Sequence, residues 1–415
     1  MKLVAHRGGS LRGEANIPGD KSCSHRALIL GALASGTTRI RGLLESDDVL
    51  ATAAAVASLG AGVVRGAQGE WTVTGAPWTS PAEPIDCGNS GTAARLLLGA
   101  CAGVTGLSVT LTGDASLSKR PMRRVTAPLE RMGARFEGGD ELPITVHGGQ
   151  LGAIHFVNVP ASAQVKSALM LAGVTSGAAV SVEEPVPSRD HTEKMLTEFG
   201  DPLAGCEIAI ASDPSSAAFP LVAAAIVPGS QVVVRGLLVN PLRTGLYEVL
   251  EEMGAELSLA NERLQSGEIV ADVTLRHAPL APCHVGPDRI AAMIDEIPAL
   301  AVACAFADGE SVIEGLAELR VKESDRLGAM VAGLVACGVA AIADGDALRI
   351  FGRGSVRGGG RVVTHGDHRI AMAFLTLGLA SEQPVEVDEG EMIATSFPGF
   401  VELMQALGAD VREGA

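Results

Sequence analysis

Polar and apolar positions alternate along this chain in blocks, and the blocks recur. A polar cluster opens an Ala-rich, helical-looking stretch six times: GDKSCSHRALILGALA, GNSGTAARLLLGACA, SAQVKSALMLAG, SDPSSAAFPLVAAAI, DEIPALAVACAFA and GDHRIAMAFLTLGLA. A Gly-containing turn and a short β-type run follow, such as Ser108 to Leu111 or Gln231 to Val234. Then come a second polar loop and an amphipathic helix that closes on an apolar residue and a glycine. These glycines are Gly60, Gly133, Gly200, Gly254, Gly338 and Gly408. Each suits a left-handed cap after a helix C-terminus, and they mark a divergent repeat of about seventy residues. Strands and helices mix in every repeat, so the fold class is α/β with three repeats per half. The fourth repeat begins near Asp213. The interval from Gly200 to Gly254 is the short one. It has room for one strand, Glu207 to Ala211, where other repeats have room for a hairpin.

The helix starts carry the first functional inference. Asp20 or Ser22, Asn89 or Ser90, Ser162, Asp213 or Ser215, Asp295 and Asp367 all suit an N-cap. If the repeats pack in parallel, several helix N-termini point the same way and form an anion site. Lys21, Arg26, Arg95, Lys166 and Arg369 stand at or beside these starts. The second loops add Lys119, Arg120, Arg189, Arg243, Arg320, Lys322 and Arg326. The expected ligands carry phosphate or carboxylate. Lys166 and Arg243 are expected at the surface or between domains, outside the core site. In LRVKESDR, Leu319 to Arg326, a helix beginning at Lys322 would put Lys322 and Arg326 one turn apart with Glu323 beside them. Two cations could then hold an anion while the carboxylate moves a proton. The competing reading is a solvated helix start, the commoner case for an isolated charge run.

Composition narrows the field. At 415 residues, length suggests two or three domains. The chain is 47% hydrophobic but only 3% aromatic, so its cores are built from Ala, Val, Leu and Ile. A net charge of -16 argues against nucleic acid or anionic membrane as bulk partners. The seven cysteines are scattered without a CxxC pair and read as free thiols in a reducing compartment. His365 and His368 are joined by no Cys or third His, so zinc is not expected there. The N-terminus, MKLVAHRGGSL, has no apolar signal core, and no segment reaches spanning length unbroken. A cytosolic, soluble protein is expected. PGDKS differs from a Walker A loop because Asp20 precedes Lys21 where Gly is needed. No strand–GxGxxG–helix unit and no nucleophile elbow is present.

Seven blocks then resemble a known family in order: PGDKSCSHRALIL (Pro18 to Leu30), GNSGTAARLLLG (Gly88 to Gly99), LTGDASLSKRPM (Leu111 to Met122), SAQVKSALMLAG (Ser162 to Gly173), LRVKESDRL (Leu319 to Leu327), GDHRIAMAF (Gly366 to Phe374) and TSFPGF (Thr395 to Phe400). The chain resembles the 5-enolpyruvylshikimate-3-phosphate synthase family over nearly its whole length. SRDHTEKML and DEIP are similar to the branch typified by glyphosate-tolerant bacterial enzymes. The resemblance implies a two-domain inside-out α/β barrel, each domain made of three βαβαββ repeats. It implies an N-terminal domain over residues 18–213, a C-terminal domain over 1–17 and 214–415, and a site in the cleft between them. The implied partners are phosphoenolpyruvate and shikimate 3-phosphate, with no metal and no organic cofactor, and a monomer is expected.

Site residues follow from the matching blocks. The resemblance gives Ser22, Arg26, Ser162, Ala163, Gln164, Arg189 and Lys322 to shikimate 3-phosphate, together with Lys21 and Asp295. It gives Lys21, Asn89, Gly91, Thr92, Arg95, Arg120, Gln164, Arg326, His368 and Arg369 to phosphoenolpyruvate. Asp295 would take or orient the proton of the attacking hydroxyl, Glu323 would exchange the proton at C3, and Lys21 or His368 would assist the leaving phosphate. Asn89 and Ser162 are equally plain N-caps, and His25 reads as structural. Asp367 is expected to pair with a nearby arginine, and Arg320 and Asp325 read as structural. Three departures stand out. Thr395 occupies a position where many members have Lys, Glu318 one where some have Asn, and Gly91 one where the tolerant branch often has Ala. The alternatives are a UDP-N-acetylglucosamine enolpyruvyl transferase, whose reactive Cys is missing from DASLSK, and a non-catalytic paralogue that binds phosphometabolites.

Overall fold

A computed structural model describes residues 1–159 and 161–414; Ala415, at the end of the expected C-terminal domain, lies outside them. The chain divides into two compact units. One comprises 19–210 with 265–268, the other 1–18, 211–264 and 269–415.

Six lead helices organise the two halves. Lys21–Leu33, Gly91–Ala102 and Ala163–Ser176 belong to the N-terminal half. Pro214–Ile226, Ile297–Phe306 and His368–Gly378 belong to the C-terminal half. They are apolar nearly all round, as a helix buried on every face must be. All thirteen residues of Pro214–Ile226 are buried. Small residues let these helices touch backbone to backbone. A Cβ on Gly99 would lie 2.1 Å from the Ala168 carbonyl oxygen of the next lead helix. Within each half the lead helices pack on one another and carry sheets on their outer faces.

In the first, second, fourth and fifth repeats the lead helix runs into a strand, a second helix and two further strands that pair with each other. The second repeat shows the plan: Ser108–Thr112 pairs parallel with Ile85–Asp86 and antiparallel with Ile144–His147, which pairs in turn with Arg135–Gly138. The N-terminal segment is shared out inside the C-terminal half. Leu3–His6 pairs with Val385–Val387 and Asp410–Glu413 of the sixth repeat, while Arg12–Ala15 lies parallel to Gln231–Leu238 of the fourth. All six capping glycines have positive φ, from 76° at Gly200 to 115° at Gly60.

Five of the sheets have four strands; the third repeat's sheet has two, Ile154–Val157 and Val180–Glu183. The second helix of that repeat, His191–Phe199, is followed directly by Glu207–Ala209, which joins the first repeat's sheet beside Thr37–Arg41. The hairpin missing from the sequence interval is therefore missing from the fold. An open groove of about 1550 Å³ lies beside the third lead helix, lined by Met170, Gly173 and Val174 of that helix, with Val180, Leu196 and Trp78.

Most aromatics of the C-terminal half are buried, while Phe351 is exposed. Phe397 and Phe400, from TSFPGF, are buried with ring centroids 5.4 Å apart, and Phe400 meets Phe219 edge-on at 6.3 Å. Among the described residues, no helix is long and apolar enough to cross a membrane.

Candidate active site

In the N-terminal half the starts of the three lead helices are capped and then cross-linked by side chains. Asp20, Ser90 and Ser162 are the N-caps, accepting from the backbone N–H of Cys23, Ala93 and Val165. Of the sequence alternatives, Ser22 and Asn89 are thus not caps. Asn89 donates to Asp114 at 2.7 Å and accepts from Arg120 at 2.6 Å. Arg95 donates to the Gln164 side-chain oxygen at 2.6 Å, and the Gln164 amide donates to Thr92 at 2.9 Å. Gly91 lies against both guanidinium groups: a Cβ there would stand 3.2 Å from an Arg95 nitrogen and 3.3 Å from one of Arg120. Ala163 and Gln164 begin the third lead helix, and both are half-buried. Asn89, Gly91, Thr92, Arg95, Arg120, Ser162, Ala163 and Gln164 therefore form one continuous group.

Lys21 and Arg26 stand on the first lead helix. Lys21 forms a 3.0 Å ion pair with Asp48. Arg26 is buried and donates to Thr192 at 2.7 Å, to the Ser22 carbonyl at 2.8 Å and to Ser167 at 2.7 Å. Two hydroxyls and a carbonyl orient its guanidinium by direct hydrogen bonds. Burial lowers the Arg26 pKa, and the positive charge of Arg189 adds to this against opposing carboxylates. His25 is buried against Thr52 at 2.7 Å; burial, then the charges of Lys21 and Arg26, hold its pKa well below the ordinary histidine value. Its burial and its bond to Thr52 fit the structural role expected of it.

A polar network beneath this group has no sequence signal. His191 Nδ1 lies 2.6 Å from a Glu268 oxygen, and Lys194 reaches the same carboxylate at 3.3 Å. Asp20, Cys23 and His191 offer ligand-type atoms within 4.8 Å of one another, as do Asp190, His191 and Glu268. Neither group is contiguous in sequence, so motif reading passes over both.

The C-terminal half gathers LRVKESDR, Asp295 and the start of the sixth lead helix. The proposed helix at Lys322 does not form. The helix begins at Arg326, with Asp325 as its N-cap accepting from Gly328 at 3.1 Å. Lys322, Glu323 and Ser324 stay in the preceding loop because that cap sets the start after them. The loop nevertheless brings the charges together. Asp295 Oδ1 lies 3.5 Å from Lys322 and 3.4 Å from Arg326, and Glu323 pairs with Arg326. Arg326 is fully buried and donates through Nε to Asp367 at 2.7 Å. Burial alone would lower its pKa; Asp367, Glu323 and Asp295 outweigh burial and raise it. Asp367 also caps the sixth lead helix and accepts from Ser324 at 3.0 Å. Its pairing with an arginine was expected, and that arginine is Arg326.

Arg369 donates to the Asp295 carbonyl at 2.9 Å, and His368 Nδ1 lies 3.4 Å from the Thr395 hydroxyl. Thr395 thus fills its position with a hydroxyl against His368. Asp295 is not an N-cap: Glu296 holds that place, and Asp295 sits in the turn ahead of it with its carboxylate turned to the cations. Arg320 braces the loop through Asp325 at 3.5 Å and the Gly345 carbonyl at 2.7 Å. Glu318 lies half-buried in the short Ala317–Val321 helical turn.

For Lys166 and Arg243 the surface reading is overturned. Lys166 is buried and bonded to Glu184 at 2.7 Å and Glu193 at 2.8 Å. Arg243 is buried and bonded to Asp213 at 3.2 Å and Ser215 at 3.0 Å. Neither is a surface residue, because each has carboxylate partners that a linear reading does not pair with it.

Helix starts that collect lysines and arginines, with carboxylates among them in the C-terminal half, define a class of α/β protein suited to small anionic ligands. The family profile described as EPSP synthase (3-phosphoshikimate 1-carboxyvinyltransferase) matches residues 5–404. The chain belongs to the EPSP synthase family. A 3-phosphoshikimate 1-carboxyvinyltransferase of Phenylobacterium zucineum is 54% identical over 432 residues, covering 99% of this chain and 95% of the relative. One of Caulobacter vibrioides is 51% identical over 438 residues, covering 99% of each. Both alignments are longer than the 415-residue chain, so these relatives carry residues that it lacks. Among solved structures, EPSP synthase of Acinetobacter baumannii superposes with a TM-score of 0.86 at 40% identity, over 99% of this chain and 100% of that one. The enolpyruvyl transferase NikO of Streptomyces tendae shares the fold, with a TM-score of 0.78 at 18% identity over 100% of this chain and 98% of that one.

Proposed function

We propose that this chain transfers the enolpyruvyl group of phosphoenolpyruvate to the 5-hydroxyl of shikimate 3-phosphate and releases phosphate. The observation that carries the reading is the placement of Asp295 and Glu323 among Lys322 and Arg326, on blocks that match the family over its full length. The reaction must protonate C3 of phosphoenolpyruvate, add the sugar hydroxyl at C2, and then remove a C3 proton as phosphate leaves. It therefore needs two proton carriers beside cations that hold phosphate and carboxylate groups.

The residues of the site are drawn from both compact units, 19–210 with 265–268 and 1–18, 211–264 and 269–415. Ser22, Arg26, Ser162, Ala163, Gln164 and Arg189, with Lys322, bind shikimate 3-phosphate. Lys21, Asn89, Gly91, Thr92, Arg95, Arg120, Gln164, Arg326, His368 and Arg369 surround phosphoenolpyruvate. Asp295 takes the hydroxyl proton, Glu323 serves C3, and Lys21 assists the departing phosphate. Lys21 and Asp295 also face shikimate 3-phosphate. The enzyme acts in the cytoplasm as a monomer without metal or organic cofactor. The dispersed free cysteines support a reducing compartment.

Phosphate release from phosphoenolpyruvate tests the assignment. It is expected with shikimate 3-phosphate and not with UDP-N-acetylglucosamine, since the loop Asp114 to Lys119 carries no cysteine. No release with the former sinks the proposal; release with the latter alone selects the other transferase.

SRDHTEKML and DEIP align the chain with the glyphosate-tolerant branch, but Gly91 departs from it. A methyl at this position would crowd the Arg95 and Arg120 guanidiniums, and its absence leaves room for the inhibitor beside them. Glyphosate is therefore expected to inhibit in competition with phosphoenolpyruvate, and Gly91→Ala to weaken that inhibition. Turnover left intact by millimolar glyphosate counts against this account.

A further inference from the structure

Two of the seven cysteines meet. Cys283 Sγ and Cys304 Sγ lie 3.6 Å apart within the C-terminal half. Cys283 is half-buried in the loop just before the short strand His284–Val285, and Cys304 is fully buried in the last turn of the lead helix Ile297–Phe306. Ser311, on the strand Asp308–Ile313, accepts from the Cys283 backbone N–H at 3.2 Å and bonds to both thiols. Arg289 and its ion-pair partner Glu252 are the charged groups facing Cys283.

The two thiols are not equivalent. The hydrogen bond from Cys304 lowers the Cys283 pKa against burial, and Ser311 adds to the lowering. Its bond to Cys283, followed by burial, raises the Cys304 pKa well above the ordinary thiol value. Cys283 is thus the thiol that ionises first and the one nearer solvent, with a second sulfur held behind it. That is the arrangement of an attacking and a resolving cysteine.

We propose that Cys283 and Cys304 form a hydroperoxide-responsive dithiol that closes reversibly to a disulfide. The Cys283 thiolate attacks the O–O bond of a hydroperoxide. Its sulfur is oxidised by two electrons to the sulfenic acid, and the hydroperoxide is reduced to an alcohol, or to water in the case of hydrogen peroxide. The Cys304 sulfur then attacks the Cys283 sulfur. The S–S bond forms, the S–O bond breaks, and the hydroxyl leaves as water with the Cys304 proton. Overall, two thiols and one hydroperoxide give a disulfide, an alcohol and water. The sulfurs must close from 3.6 Å to about 2.05 Å, a movement available to Cys283 because it stands in a loop. Transient disulfides of this kind are the form expected in a reducing compartment. The ring so closed contains Asp295 and Glu296, so the bond ties together the two ends of the segment that carries the proposed base.

The test treats the reduced full-length chain with hydrogen peroxide. The intact mass should fall by two hydrogens, peptide mapping should show a Cys283–Cys304 cross-link, and a dithiol reductant should reverse both. In Cys304→Ala, the mass loss should vanish and Cys283 should go on to the sulfinic acid, gaining two oxygens. Cys283→Ser should show neither change while keeping the wild-type melting profile. The proposal is overturned if wild-type Cys283 stays a thiol, if it reaches the sulfinic acid without cross-linking, or if the mass loss persists in Cys304→Ala.

Discussion

A Glu323→Gln enzyme is expected to bind both substrates and turn them over about 10²- to 10⁴-fold more slowly, the range that general acid–base catalysis contributes. The exchange keeps the shape of the side chain and one oxygen to accept from Arg326. It removes only the capacity to give and take a proton. Glu323 is one of three carboxylates on Arg326, so the fold keeps the pairs with Asp367 and Asp295. Kinetics separates the two roles open to this residue. If Glu323 serves C3, kcat falls while KM for both substrates stays near wild type, and solvent deuterium stops entering C3 of phosphoenolpyruvate. If it merely pairs with Arg326, melting temperature moves and kcat does not. Unchanged rates remove Glu323 from the mechanism.

What could be read from the sequence was local. The six capping glycines were legible because a left-handed residue after a helix leaves a one-position signal, and all six have positive φ. Five of the expected helix starts, at Asp20, Ser90, Ser162, Asp213 and Asp367, show side-chain cap bonds for the same reason. The missing hairpin showed as a short interval because strands occupy length. The errors occurred where two local signals competed or where a partner was remote. In LRVKESDR, the spacing of Lys322 and Arg326 suggested a helix face, but Asp325 is the better cap and starts the helix at Arg326. Lys166 and Arg243 read as surface or interdomain cations, and the surface reading failed because Glu184 and Asp213 lie far from them in sequence. The Glu268–His191 contact spans 77 positions, and no periodicity or motif points to it.

The same remoteness hides the largest expected effect on stability, which belongs to Arg326. This side chain is fully buried between Asp367, itself fully buried, and the more accessible Asp295 and Glu323. Arg326→Met keeps much of the volume but leaves the Asp367 carboxylate without its cation. Breaking one side of a buried pair costs about 3–5 kcal/mol. For a half of this size, that corresponds to a fall in melting temperature of roughly 6–20 °C, readable by calorimetry. Activity should be lost as well, since Arg326 also holds Glu323 and Asp295. An exposed comparison is available in Arg320→Met. Its bonds to Asp325 and the Gly345 carbonyl are solvent-facing, and its removal should cost about 0–1 kcal/mol. Pairing Arg326→Met with Asp367→Leu distinguishes an orphaned charge from lost packing. If the orphaned carboxylate is the cause, the double variant melts well above the single one, because a buried ion pair exchanged for apolar groups of similar volume is often neutral or stabilising. If the double variant melts as low as Arg326→Met, the stability comes instead from the caps and hydrogen bonds that Asp367 makes to Arg369 and Ser324.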